Sequence, residues 1–265
     1  MTYRRNVVNR LAFLDKVVPS WVVWVAATVI LAVWEIIVRA GLVSALYLPA
    51  PSGIFRAALD MMASGELLIN LQASLWRITA GFLIGSLVGI FIGLVLGVSR
   101  LAEAVGNPII HALYPVPKIA LLPLIILWLG IGELSKVTVI ALGVFFPVVI
   151  NTYSGVRHVD PLFIKVAVSF RASRGGLIRK VILPGALPSI FAGLKLAAGA
   201  SLLLLVAAEM IAAREGVGAL ILHYGDLMLT TKLMVGVLSL SLLGVIFHSL
   251  LKWLEGMCIP WQRRE

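Results

Sequence analysis

Residues 165–190 read "KVAVSFRASRGGLIRKVILPGALPSI". With the residues just before them they hold six Lys or Arg (Arg157, Lys165, Arg171, Arg174, Arg179 and Lys180) between two strongly apolar stretches. This island is too charged for hydrocarbon and too regular for a slack loop. Asp160 followed by Pro161 is a helix start: a capping carboxylate, then a proline whose missing N–H would have had no partner there. Leu162, Phe163, Val166 and Phe170 follow at helical spacing and share one face. A second start falls at Ser173, with Leu177, Ile178, Val181 and Ile182 opposite Arg174, Arg179 and Lys180; Pro184 is expected to stop it. The pattern predicts two short amphipathic helices joined by a tight turn near Arg171. Such a unit either docks into a groove on a cytoplasmic partner or lies on lipid headgroups.

The flanks decide the solvent. The chain has 265 residues, 61% of them hydrophobic and 13% charged, with a mean hydropathy of +1.06. A soluble domain of this length needs far more polar surface, so most of the chain faces lipid. The net charge of +10 could point to nucleic acid. The basic residues cluster beside apolar spans, however, where the cytoplasmic bias of Lys and Arg accounts for them. Cys258 is the sole cysteine, which excludes an internal disulfide and a CxxC redox pair. His111, His158, His223 and His248 are scattered without metal-ligand spacing. No phosphate-binding GxxxxGK[ST] loop and no nucleophile elbow occurs, so no catalytic residue and no cofactor is expected in this chain.

A hydrocarbon core of about 30 Å takes some 20 apolar residues per crossing. Spans are predicted near 20–39, 75–97, 108–130, 136–154, 188–211 and 233–252. The third is interrupted by Pro115, Pro117 and Pro123 and is expected to be broken. The fold class is therefore all-α, a polytopic membrane protein of about six helices. Segment 40–72 reads as an external loop whose amphipathic helix puts Ile54, Ala57, Ala58 and Met61 on one side. Thirteen Lys or Arg then fall on one side of the membrane (Arg4, Arg5, Arg10, Lys16, Arg100, the six of the island, Arg263 and Arg264), against four on the other (Arg56, Lys136, Arg214 and Lys232). That asymmetry makes the tails 1–19 and 255–265 and the 157–187 loop cytoplasmic. The basic start and "VSA" at 43–45 imitate a signal peptide, but Asp15 and Lys16 interrupt its core, so an uncleaved first span is expected.

Gly81, Gly85, Gly89, Gly93 and Gly97 line one helical face of the second span. Such a stripe lets another backbone approach closely, or it lines a path. Ionisable residues at membrane depth are functional candidates. Glu35 and Arg39 are placed to pair. Glu209 either pairs, with Arg214 one turn beyond, or lines a translocation path. Lys118 either faces an anion path or snorkels to the headgroups.

The island resembles the "EAA" loop of ABC-transporter permeases, whose pattern is EAA, three residues, G, nine residues, then I-x-L-P. Anchored on "VILP" at 181–184, Lys165 stands at the Glu, Val166 and Ala167 at the two Ala, and Arg171 at the Gly. Val181 stands at the Ile and Leu183-Pro184 close the pattern; only Ala167, Leu183 and Pro184 match strictly. The stretches "RKVILPGALPSIFAGLKLAAG", "LPAPSGIFRAALDMMASGELL", "ALLPLIILWLGIGELSK", "ALGVFFPVVINTYSGVRHVD" and "VAAEMIAAREGVG" are similar to the permeases of the nitrate/sulfonate/taurine/bicarbonate importers. The resemblance spans residues 45–255, with the permease domain at 73–254. It implies a type I importer fold in a bacterial inner membrane, with a second permease copy in a homodimer. It further implies two ATP-binding subunits carrying ATP and Mg, and an external substrate-binding protein. On this resemblance the coupling loop to the ATPase comprises Asp160, Pro161, Lys165, Ala167, Ser169, Phe170, Arg171, Ala172, Ser173, Leu183 and Pro184. Lys165 reverses a family charge. Arg171 replaces a glycine that permits a left-handed turn, so either the turn is rebuilt or the docking groove has changed.

Three functions compete. The first is the permease of an ATP-driven importer for a small anion such as a sulfonate, taurine, nitrate or bicarbonate. The others are an ATP-independent secondary transporter, whose usual paired inverted repeats are not visible here, and a membrane scaffold that recruits a cytosolic protein.

Overall fold

The computed structural model describes residues 20–261, and these fold as α-helices and short connections, with no strand among the described residues. The basic residues of the first 19 positions, and Arg263 and Arg264, lie outside the described residues. The helices are α1 (Ser20–Arg39), α2 (Pro51–Ala63), α3 (Glu66–Val98), α4 (Arg100–Leu113) and, after a 3₁₀ turn at Lys118–Leu121, α5 (Leu122–Leu129). Next come α6 (Glu133–Arg157), α7 (Pro161–Ser169), α8 (Arg174–Ala212), α9 (Val217–Asp226) and α10 (Thr230–Cys258).

The fold is assembled on α6, which lies between α3 and α8. The glycine stripe of α3 meets Ile140, Val144, Val148, Thr152 and Val156 of α6, residues that themselves recur every fourth position. A Cβ on Gly81 would stand 2.6 Å from Ile140 Cγ2, and one on Gly93 2.6 Å from Thr152 Cβ. Only a helix without side chains on that face can approach so closely. The stripe is a packing surface, filled along its length, and not the wall of a path. Gly155 and Gly193 repeat the device on the α8 side, against Ser189 and Asn151.

The pairing also fixes direction. Gly81 meets Ile140 and Gly97 meets Val156, so α3 and α6 run the same way. The intervening residues 99–132 must therefore cross back, although α4 and the Lys118–Leu129 segment meet at a bend of 88°. This segment is one broken crossing rather than a re-entrant hairpin, and with it the chain makes six. α8 runs against α6, and α10 runs against α8, with Gly244 at Leu202 and Lys195 paired to Glu255. α1 begins and α10 ends on the face that carries α7. On the opposite face, α2 and α9 close over the helix ends through Ile54, Met61, Leu67, Leu220, Tyr224 and Val235. α1 stands at the edge; its Glu35 accepts bonds from Ser52 N (3.0 Å) and Ser52 Oγ (2.7 Å) at the start of α2, beside Arg39.

Three boundaries differ from the expected ones. α3 starts at Glu66 rather than near 75, because Gly65 at φ +78° turns the chain at once after α2. α4 takes up residues 100–107, expected as a loop, because the Ser99 hydroxyl caps Ala102 N at 3.3 Å. Pro184 does not stop the second island helix. A π turn at Ile178–Ile182 precedes it, and the wider turn absorbs the ring and the missing donor. That helix is thus the start of α8, continuous over 39 residues.

Gly93→Leu is expected to lower the unfolding midpoint of the purified protein, by overpacking worth about 1–3 kcal/mol. Gly199→Ala, where a Cβ meets nothing within 4 Å, is expected to keep or slightly raise it, since alanine is the better helix former; thermal melts monitored by circular dichroism measure both.

Candidate functional site

α7 begins as its sequence predicts: Asp160 Oδ1 accepts the Leu162 N–H at 2.8 Å and Pro161 occupies the first turn. It ends in a Schellman motif. Arg171 N donates to Val168 O at 2.8 Å and Ala172 N to Ala167 O at 3.0 Å. The residue that must be left-handed in this motif is Arg171, at φ +54°. The turn has not been rebuilt: arginine adopts the conformation that glycine would, at a cost of about 1–2 kcal/mol. The Ser173 hydroxyl then accepts the Gly176 N–H at 3.2 Å and starts α8.

The apolar face of α7 is bare. Leu162, Phe163, Val166 and Phe170 are all exposed, Phe170 to 83%. Lys165 is also exposed and forms no ion pair among the described residues. Arg157, at the end of α6, pairs with Glu103 in the first turn of α4, and Glu103 also accepts from Tyr153 Oη at 2.6 Å. The α7 end of α6 is thereby tied to the broken crossing.

At the other end of α6 lies a buried charge network. Glu209 has no exposed surface. Its carboxylate accepts from Ser74 Oγ (2.7 Å), Arg77 Nη1 (2.7 Å) and Gly218 N (2.8 Å). Arg77 makes a bidentate pair with Glu133 (2.6 and 2.8 Å) and also donates to Glu215 O (2.6 Å). Lys136 adds a 3.2 Å contact to Glu133. Two cations and two carboxylates thus balance while joining α3, α6, α8, the 213–216 turn and the start of α9. Glu209 pairs, as one of its two expected roles had it, but with Arg77 rather than Arg214, and with no exposed surface it lines no path. Sequence reading missed Ser74, Arg77 and Glu133. An arginine inside an apolar span was the available signal.

Lys118 does not snorkel. Its Nζ donates to the carbonyls of Leu113 (2.9 Å), Tyr114 (2.5 Å) and Val116 (2.8 Å), capping the C-terminal end of α4 at the break. It also lies 4.1 Å from the centroid of the Phe146 ring and 5.6 Å from that of Tyr114.

The described chain is thus a polytopic helical domain with one broken crossing and a bare amphipathic helix at the end of α6. Over residues 85–256 the chain matches the family described as "Binding-protein-dependent transport system inner membrane component", and it belongs to that family of ABC importer permeases. It is 39% identical over 234 residues to the permease protein SsuC of Bacillus subtilis, named for aliphatic sulfonates transport (88% of this chain, 85% of SsuC). It is 35% identical to the taurine transport system permease protein TauC of Escherichia coli (88% of this chain, 86% of TauC). The fold matches a chain in "Inward facing conformations of the MetNI methionine ABC transporter" with a TM-score of 0.63 at 20% identity, covering 75% of this chain and 98% of that one. The chain is a membrane permease subunit and not an enzyme.

Two stability predictions follow from this geometry. Glu209→Leu leaves the buried Arg77–Lys136–Glu133 cluster with one uncompensated positive charge and is expected to cost about 3–5 kcal/mol, read as lost monodisperse protein in detergent; Arg77→Met added to it restores the balance and should recover part of the loss. Arg171→Gly relieves the left-handed strain and is expected to raise the melting midpoint by the equivalent of about 1 kcal/mol.

Proposed function

We propose that this chain is the permease of an ATP-driven importer for a small organic sulfonate, with α7 as its docking helix for the ATPase. The bare apolar face of α7 carries the reading, because a helix held by caps at both ends and left uncovered needs a partner groove. The sulfonate assignment is supported by SsuC and TauC, which are similar over most of both chains. Two copies form the path, two ATP-binding subunits carrying ATP and Mg sit beneath, and an external binding protein delivers cargo. The face carrying α7 is cytoplasmic, as is each end of the chain.

The geometry supports an alternating-access cycle. ATP binding draws the two ATPases together and carries α7 with them. Because α8 starts inside the docking unit and runs unbroken to Ala212, a tilt at Ser173 is transmitted along the whole crossing. Arg157 and Glu103 pass the same movement to α4. The cargo must bind the two states differently to be carried rather than held.

The Lys165 charge, reversed relative to the family pattern, is read as matched by an Asp or Glu on the cognate ATPase. Phe163→Asp is expected to abolish co-purification of the ATPase while leaving the permease folded, since a carboxylate in an apolar groove goes unpaired. Lys165→Glu should weaken assembly, and a charge reversal on the ATPase should restore it. Wild-type recovery of the ATPase with both single variants would overturn the docking assignment.

A further inference from the structure

We propose that Lys118 is the fixed charge that selects and carries the anionic cargo across the middle of the membrane. The inference rests on the reading of this chain as an importer of an organic anion. Its first support is depth. Lys118 Nζ lies against Phe146, the middle of α6. At 1.5 Å per residue, Phe146 is roughly 20 Å from Glu133 and 16 Å from Arg157. α4 gives the same depth from below: it starts at the α7 face, runs up beside the lower half of α6 through Glu103–Arg157 and Ile110–Phe146, and ends at Leu113.

The second support is charge. Glu35 pairs with Arg39, Arg77 and Lys136 with Glu133, Arg77 with Glu209, and Lys195 with Glu255. Among the described residues near mid-depth, Lys118 is the cation with no carboxylate. Carbonyl dipoles at the end of α4 and two π faces hold it, so a full positive charge remains to be met. A cation kept at that depth is costly unless it has a use.

The third is position. The break is open on one side of the protomer, where Leu113 and Tyr114 are half exposed and Pro115 and Pro117 are exposed. On this proposal that side faces the path between the two copies. An anion passing there loses water and gains the field of a fixed ammonium, the device by which basic side chains make pores anion-selective. The Pro-broken backbone keeps the α4 carbonyls turned to Lys118 and away from the cargo.

The test is uptake of radiolabelled taurine by proteoliposomes containing the permease, its ATPase and its binding protein, with three substitutions. Lys118→Arg keeps both charge and donors, Lys118→Gln keeps donors without charge, and Lys118→Met keeps neither. Lys118→Arg is expected to retain most of the uptake. Lys118→Gln and Lys118→Met are each expected to lose about tenfold or more, equivalent to about 1.4 kcal/mol of barrier, in complexes recovered at wild-type yield. Wild-type uptake by Lys118→Gln with loss in Lys118→Met would make Lys118 a helix cap only and overturn the proposal. So would undiminished uptake by both, or loss confined to complexes that fail to assemble. If the wild-type complex imports neither taurine nor methanesulfonate, nitrate or bicarbonate, the anion-importer reading itself falls and takes this inference with it.

Discussion

The structure depends on how closely α3 and α6 approach. In lipid, apolar side chains gain little by meeting each other rather than acyl chains, so helices associate through dense packing and a few polar contacts. A stripe of five glycines facing a row of branched side chains supplies the density. The Arg77–Glu209–Glu133 network pins one end of the layer, and Arg157–Glu103 ties the other. Neither set would serve alone. The polar network holds register but covers only one end, whereas the glycine seam runs from Gly81 to Gly97 yet, being apolar, resists sliding weakly.

Against this layer the segment 160–173 stands apart. Its helix α7 packs little surface against the chain and leaves its apolar side chains bare, and one of its turns is strained at Arg171. Strain of that kind persists where surrounding structure over-determines the backbone, and here both caps of α7 and the start of α8 do so. The long guanidinium then projects from the turn, where a glycine would present nothing. On the proposed function α7 is the docking surface, and only the turn 170–173 joins it to α8, which continues into a membrane crossing.

The broken crossing is the third element. Its prolines free backbone carbonyls inside the membrane, which would be costly without donors. Lys118 supplies three donors from a single side chain. The break therefore costs less than its prolines alone would imply, and it brings a positive charge to mid-depth.

Sequence alone determined what depends on local chemistry and on solvent. Apolar length gave the six crossings, prolines the break, Asp160-Pro161 and Ser173 the helix starts, and glycine spacing the packing face. The order of the quoted motifs carried the resemblance to the family, although within the loop pattern only Ala167, Leu183 and Pro184 match strictly. What sequence left open depended on contacts between residues far apart in the chain. Glu209 could not be assigned to Arg77, 132 residues away, because a buried pair is set by which helix ends meet. Pro184 could not be read as an interior residue, because only the preceding π turn makes room for it. Lys118 could not be placed between headgroup and path, because its depth is fixed by Phe146, on a helix that folds beside it. Desolvation decides each of these cases: a charge or a free carbonyl in lipid must find its partner, and tertiary structure alone says where that partner is.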